Sequence, residues 1–232
     1  RSYAFDASRE LPDLKQELSN NNYITFGSFN RLNKINREVI ALWCDVLRKI
    51  PDSRLQMAGM PSGGAPEELL AWFKEEGISE DRLYFYPRSG FIEYLKLHNQ
   101  VDICLDTFPY TGGTTTLHAL WMGVPTLTLA GDTYPSAQGA AVNNRLGLGK
   151  YLVANNKEDF VAKALFLKEN NHLAKKIKSS LRSHMLENYI SDLNSLINGF
   201  EKSICMIWSK WCSGQKPTYF EIKNEDIFYE EK

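Results

Sequence analysis

Short, continuous apolar runs alternate along this chain with segments whose apolar residues recur at helical spacing. The runs "YITFGSF", "SRLQMAG", "RLYFYP", "VDICLDTF", "PTLTLAG" and "YLVA" predict strands beginning near Tyr23, Arg54, Leu83, Val101, Thr126 and Tyr151. Strands that are apolar throughout, rather than at every second position, are buried on both faces, which is the habit of parallel sheets. Between them, "NREVIALWCDVLRKI" places Val39, Leu42, Trp43, Val46 and Leu47 on one helical face behind Asn36 as N-cap. "PEELLAWFKEEG" opens on Pro66 and stops at Gly77, and "TTTLHALWMG" stops at Gly123. The alternation predicts an α/β fold: a Rossmann-like, doubly wound parallel sheet with helices on both faces and right-handed crossovers.

After residue 156 the pattern is helical only, which predicts a C-terminal helical extension. In its last segment Ile190, Leu193, Leu196, Ile197, Phe200, Ile204, Ile207, Trp208 and Trp211 fall on one stripe. The two tryptophans read either as core or as a docking face for another domain. The expected organisation is a linker or partial helix over 1–22, the Rossmann-like domain over 23–155, helices packing on it over 156–215, and a tail over 216–232.

Composition narrows the function classes. Of 232 residues, 43% are hydrophobic and 24% charged, and the formal net charge is -1. An ordinary core is expected, with neither nucleic acid nor an anionic membrane as bulk partner. Cys44, Cys104, Cys205 and Cys212 are scattered without a C-x-x-C pair, so neither a disulfide nor a zinc framework is supported, and the thiols fit a reducing, cytoplasmic location. No run is long enough to cross a bilayer, and no leader pattern opens the chain, which starts at Arg1 and reads as a piece of something longer.

The candidate chemistry sits in "DICLDTFPYTGGTTTLHALWMG". Ligands of open parallel sheets bind where strands end and helices begin. A helix N-terminus offers free N–H groups and partial positive charge, which suits phosphate. Gly112 and Gly113 remove Cβ atoms there, and Thr114, Thr115 and Thr116 add hydroxyls. The stretch is neither a P-loop nor G-x-G-x-x-G. It reads as a diphosphate site or, more plainly, as a capped helix after a tight turn. "FGSFNRLNKINREV" places Asn30, Arg31, Asn33 and Lys34 after the first strand, where they share an edge with that junction. Lys34 is then a cation aimed at the anion site, or a solvated loop lysine.

At these two loops the sequence resembles the O-GlcNAc transferase/SPINDLY-type glycosyltransferases, especially the bacterial proteins in which such a domain follows tetratricopeptide repeats. The similarity spans about residues 23–215. It implies the C-terminal, donor-binding half of a GT-B fold, with residues 23–155 as the nucleotide-sugar-binding domain. The N-terminal half and the repeats lie outside this chain. In the family the terminal helix packs back toward the N-terminal half, which favours an interface role for Trp208 and Trp211.

The resemblance implies that Lys34 contacts the diphosphate and stabilises the leaving group, that Thr114 and Thr115 bind phosphate at the helix start, and that a backbone group at Ser89 reads the base. Tyr94 stands where a histidine usually stacks on uracil, and a tyrosine ring also stacks. Arg31 replaces the usual Gln or Asn, and His118 replaces an acidic residue that holds the ribose. "TYPSAQG" lacks a common arginine, and "LQMAGMPSGGAPE" lacks a lysine frequent in bacterial relatives. These departures leave the donor open between UDP-N-acetylglucosamine and GDP-fucose.

The implied reaction is inverting transfer from a nucleotide sugar, a UDP-sugar by preference, to a Ser/Thr hydroxyl of an acceptor protein. Lys34 and the N–H groups near Gly113–Thr115 meet the charge developing on the leaving diphosphate. Neither a cofactor nor a metal is expected. Asp102 and Asp106 lie four apart on one strand and read as one helix-facing or edge carboxylate each, not as a metal motif. None of the histidines reads as a general base; His98 ends a helix, where positive charge is favourable. The base is expected in the absent half. Two other readings remain: a nucleotide-sugar-binding or scaffold module without transfer, and a GT-B UDP-sugar epimerase. An epimerase needs carboxylates by the sugar, where these loops offer threonine, tyrosine and glycine.

Overall fold

A computed structural model of the chain describes residues 11–14, 23–187, 193–220 and 222. Its strands are β1 (Ile24–Ser28), β2 (Ser53–Met60), β3 (Leu83–Pro87), β4 (Ile103–Leu105), β5 (Thr126–Leu129) and β6 (Val153–Ala154). They form one sheet in the order β3-β2-β1-β4-β5-β6, and every pair is parallel. This is the doubly wound order, and the direction in which strands are added to the sheet reverses between β1 and β4.

The helices are α1 (Arg37–Lys49), α2 (Glu67–Glu75), α3 (Phe91–His98), α4 (Thr114–Trp121), α5 (Tyr134–Arg145), α6 (Gly149–Leu152), α7 (Lys157–Glu169), α8 (Asn171–Glu187) and α9 (Leu193–Cys212). Asn36 caps α1 as its position foretold, its side chain accepting from the Val39 N–H at 3.0 Å. Gly77 and Gly123 follow α2 and α4 with φ of 74° and 70°, a conformation that side chains resist.

Successive strand residues serve opposite faces. Leu55, Met57, Ile103 and Leu105 join Val39, Trp43 and Leu47 of α1 and Phe160 and Ala164 of α7 in the larger core. Ala58 and Cys104 face the other way, against Phe29, Ala119 and Val124, with Tyr94 and Leu97 beside them. Trp43 is fully buried, and its indole N–H donates to the Asp106 carbonyl at 3.2 Å. Cys44 and Cys104 are buried thiols.

Two strand starts differ from expectation. Val101 turns its N–H to the His98 carbonyl and closes α3, so β4 begins at Ile103. Tyr151 lies within the short helix α6, whose Tyr151 and Leu152 N–H groups both return to the Leu148 carbonyl, and β6 starts at Val153. The tail of α9 is not core: Trp208 and Trp211 are 66% and 73% exposed, with Phe200, Ile204 and Ile207 exposed beside them. Ile190 lies outside the described residues, as do most of 1–22 and most of 216–232. Of the first segment, the Asp13 carbonyl accepts from the Asn99 amide at 2.9 Å.

Candidate functional site

The switch between β1 and β4 brings two loops to one crevice. One leaves β1 through Phe29, Asn30 and Arg31 into a single 3-10 turn, Leu32–Lys34. The other leaves β4 through Asp106 and Thr107, crosses the cis Phe108-Pro109 bond, and passes Tyr110–Gly113 into α4. Lys34 ties them together: its Nζ donates to the Thr111 carbonyl at 2.9 Å and sits 4.1 Å from the centre of the Tyr110 ring. Burial pulls the Lys34 pKa down; Asp106 opposes this, and Arg31 adds to it. Arg31 itself is exposed, as is Ser89 on the loop between β3 and α3.

Asp106 is 1% exposed and lies beneath this crevice. Its Oδ1 accepts from the N–H groups of Gly112 (2.7 Å) and Thr107 (2.9 Å) and from Asn30 Nδ2 (3.2 Å), and its Oδ2 from Thr128 Oγ1 (2.9 Å). Burial raises its pKa, and the four donors hold it back. Asn30, 7% exposed, continues the network by accepting from Thr115 Oγ1 at 2.9 Å. The loop is further pinned where Thr111 donates its N–H and its hydroxyl to the Pro135 carbonyl, at 3.0 and 2.9 Å.

The glycines have a packing reason beside the one read in the sequence. Gly112 is buried with its N–H turned to Asp106. A Cβ there would run into the hydroxyls of Thr115 and Thr116 and into Asp106 itself. At Gly113 a Cβ would lie 2.8 Å from Gln138 Oε1. Gly112 is therefore required by the packing beneath the site, whatever approaches it from above. Thr114 and Thr115 are half-buried at the first turn of α4, where backbone N–H groups lack helical partners.

One helical turn farther along α4, His118 joins an aromatic cluster with Phe29, Phe91, Tyr94 and His98. Phe29 stacks on His98 with centroids 3.6 Å apart. His98 Nδ1 lies 3.0 Å from the Tyr94 carbonyl, and His118 Nδ1 lies 3.2 Å from the Tyr94 hydroxyl. Tyr94 is thus tied edge-on to both imidazoles, and Phe91, 37% exposed, forms the outer edge of the cluster. Burial pushes His98 down to about 3 and His118 to about 4. This corrects the reading of His98 as a helix-end charge: it is a neutral ring in the core.

An unfolded histidine titrates near pH ~6.5. Between that pH and about 3 the unfolded chain binds the proton that folded His98 refuses. His98 therefore leaves stability intact above pH ~6.5 and lowers it progressively as the pH falls through this window. The expected result is a decline in stability from pH 7 to 5, with the His98 ring still neutral by NMR at pH 5. A ring charged at pH 6 would contradict it.

Sequence reasoning placed Lys34, Thr114, Thr115, Tyr94 and His118 around this crevice but missed Asp106 and Asn30 as its frame. The signal was present: an ionisable residue closing an apolar strand run seldom lies buried without partners. Among the described residues no group of three or more His, Cys, Asp or Glu side chains is placed to hold a metal ion. No described helix is long and apolar enough to cross a membrane.

Residues 13–198 match the model of Glycosyl transferase family 41. The chain is 34% identical over 200 residues to the probable UDP-N-acetylglucosamine–peptide N-acetylglucosaminyltransferase SPINDLY of Hordeum vulgare, covering 85% of this chain and 21% of that protein. The SPINDLY protein of Arabidopsis thaliana is 33% identical over 201 residues, with 85% and 22% covered. A solved structure of a mutant O-GlcNAc transferase from Thermobaculum terrenum superposes with a TM-score of 0.75 at 29% identity, covering 88% of this chain and 40% of that one. The chain thus spans about a fifth of the length of these SPINDLY relatives.

Proposed function

This chain belongs to Glycosyl transferase family 41, and from that premise we propose that it is the donor-binding half of an inverting protein O-glycosyltransferase of GT-B type. The donor is a nucleotide sugar, with UDP-N-acetylglucosamine favoured by the names of the relatives. The acceptor is a Ser or Thr hydroxyl of a protein. The observation that carries the reading is the crevice at the β1/β4 switch, where Lys34 and the first turn of α4 meet.

In this reading Lys34, Arg31, Thr114 and the free N–H groups of α4 receive the diphosphate, and their charge and dipoles stabilise it as it leaves. The acceptor oxygen forms a bond to the anomeric carbon as the carbon–oxygen bond to the diphosphate breaks. The acceptor's proton passes to a base. The nucleoside lies toward Ser89, Phe91, Tyr94 and His118. Neither a cofactor nor a metal is required, because Lys34 and the helix supply the counter-charge. The base belongs to the rest of the longer protein, since burial makes His98 and His118 weak bases and their Nδ1 atoms are tied to Tyr94 in the aromatic cluster. The exposed stripe of α9 is the surface by which that remainder, including a further Rossmann-like half, meets this one. Tetratricopeptide repeats and a cytoplasmic setting complete the proposal.

The same absence of a base among the crevice residues favours a second reading, a nucleotide-sugar-binding module without transfer activity. One experiment tests the first reading and frames the second. By calorimetry the chain is expected to bind UDP more tightly than uridine, and in a transfer assay with UDP-N-acetylglucosamine and an acceptor protein to show no turnover alone. No UDP binding at millimolar concentration would overturn both readings. Turnover by this chain alone would place the base within it. Turnover restored by the remainder of the protein supports the enzyme over the module.

A further inference from the structure

The two threonines that begin α4 have different hydrogen-bonding polarities. A carboxylate only accepts hydrogen bonds. Asp106 therefore fixes the Asn30 amide with its NH2 group toward Oδ1, at 3.2 Å. That leaves Asn30 Oδ1 facing Thr115 Oγ1 at 2.9 Å. A carbonyl oxygen also only accepts, so Thr115 is the donor in this pair. A hydroxyl has one hydrogen, and that of Thr115 is used beneath the crevice. Only its lone pairs are left for a ligand.

Phosphate oxygens are acceptors as well, so those lone pairs oppose them. For Thr115 to donate to a phosphate, its hydrogen would have to leave Asn30. The carbonyl oxygen of Asn30, a residue 7% exposed, would then lose its partner, a cost that sets back whatever the new bond contributes. Thr114, half-buried one residue earlier, is not part of this chain of bonds.

Resting on the nucleotide-sugar reading above, we propose that Thr115 reads a hydroxyl rather than a phosphate: the Asp106–Asn30 chain sets it as an acceptor, and a hydroxyl of the nucleotide sugar donates to it. Lys34, Thr114 and the amides of α4 hold the diphosphate. Asp106 and Asn30 are positioning residues that act through Thr115. The hydroxyl comes from the ribose or from the transferred hexose, and the two sources share this chemistry.

The test uses calorimetry on the whole chain with inorganic pyrophosphate, UDP and UDP-N-acetylglucosamine. Thr115→Val is expected to leave pyrophosphate affinity unchanged. It weakens UDP about 3- to 10-fold if the ribose donates, and weakens only the nucleotide sugar by that factor if the hexose does. Thr114→Val is expected to weaken all three ligands. If Thr115→Val weakens pyrophosphate as much as UDP, the inference is overturned.

Asn30→Ala frees the Thr115 hydrogen, so in that background Thr115→Val is expected to weaken pyrophosphate where it did not before. Failure to gain that sensitivity removes the positioning roles. A nucleotide-free measurement separates this inference from the broader reading: the Thr115 hydroxyl proton is expected to be protected from exchange in the parent and unprotected in Asn30→Ala. An unprotected proton in the parent overturns the chain of bonds whether or not UDP binds. Absence of UDP binding with a protected proton overturns the nucleotide-sugar reading instead.

Discussion

Lys34→Ala lowers UDP affinity about 10- to 100-fold and leaves uridine affinity almost unchanged. The magnitude follows from the loss of a hydrogen bond to a charged group, roughly 1.5–3 kcal/mol. Its selectivity follows from geometry. Lys34 is held by the Thr111 carbonyl at 2.9 Å and by the Tyr110 ring, on the side of the site proposed to receive the diphosphate. The aromatic cluster proposed to meet the nucleoside lies on other elements, around α3 and His118. Arg31 is the contrasting case: being exposed, its charge is screened, and its removal has a smaller and more salt-sensitive effect. Calorimetric titration of parent and variant with both ligands checks the result. Equal losses for uridine and UDP would mean that the lysine does not meet the phosphates.

The largest effect on stability is expected at Trp43. Its side chain is fully enclosed between α1 and the sheet. Trp43→Ala destabilises by about 3–5 kcal/mol, through lost burial and an unfilled cavity. At about 2–4 °C per kcal/mol for a domain of this size, the melting temperature falls by roughly 10 °C. The indole N–H also holds the Asp106 carbonyl, so the loop beneath the crevice loosens with the core. Trp43→Phe fills much of the space and isolates that second effect. Trp208→Ala is the control: at 66% exposed, the same change on α9 stays within about 0.5 kcal/mol. A loss at Trp208 comparable to that at Trp43 would show that the tail of α9 is packed after all.

The fold was largely legible because its signals are local. Continuous apolar runs marked the strands, and Asn36, Gly77 and Gly123 marked helix ends for reasons the backbone geometry bears out. Tyr151 was misplaced because a four-residue helix leaves no periodicity to read before a two-residue strand. The site was legible only in part. Lys34 and the threonines stand out by residue type beside Gly-Gly. The frame beneath them does not, because Asp106 meets Asn30, Gly112 and Thr128 through contacts that only the strand order creates. His98 shows the same limit: its place at a helix end suggested a charge, while Phe29, far off in sequence, makes it a buried neutral ring.

The framing of Asp106 also sets which parts of the crevice can drift over evolutionary time. Its donors come from segments after β1, after β4 and within β5. On either side of it, a side chain at Gly112 or Gly139 would strike it or its partners. Replacing any one member singly leaves a buried charge or donor without its match, so these positions can change only in concert. Phe91 and Tyr134 carry exposed rings at helix starts of the same edge and lie outside that constraint. If the proposed nucleotide-sugar reading holds, a lineage or a protein engineer seeking a different sugar or base would find its accessible substitutions among those rim residues, with the floor framed by Asp106 inherited unaltered.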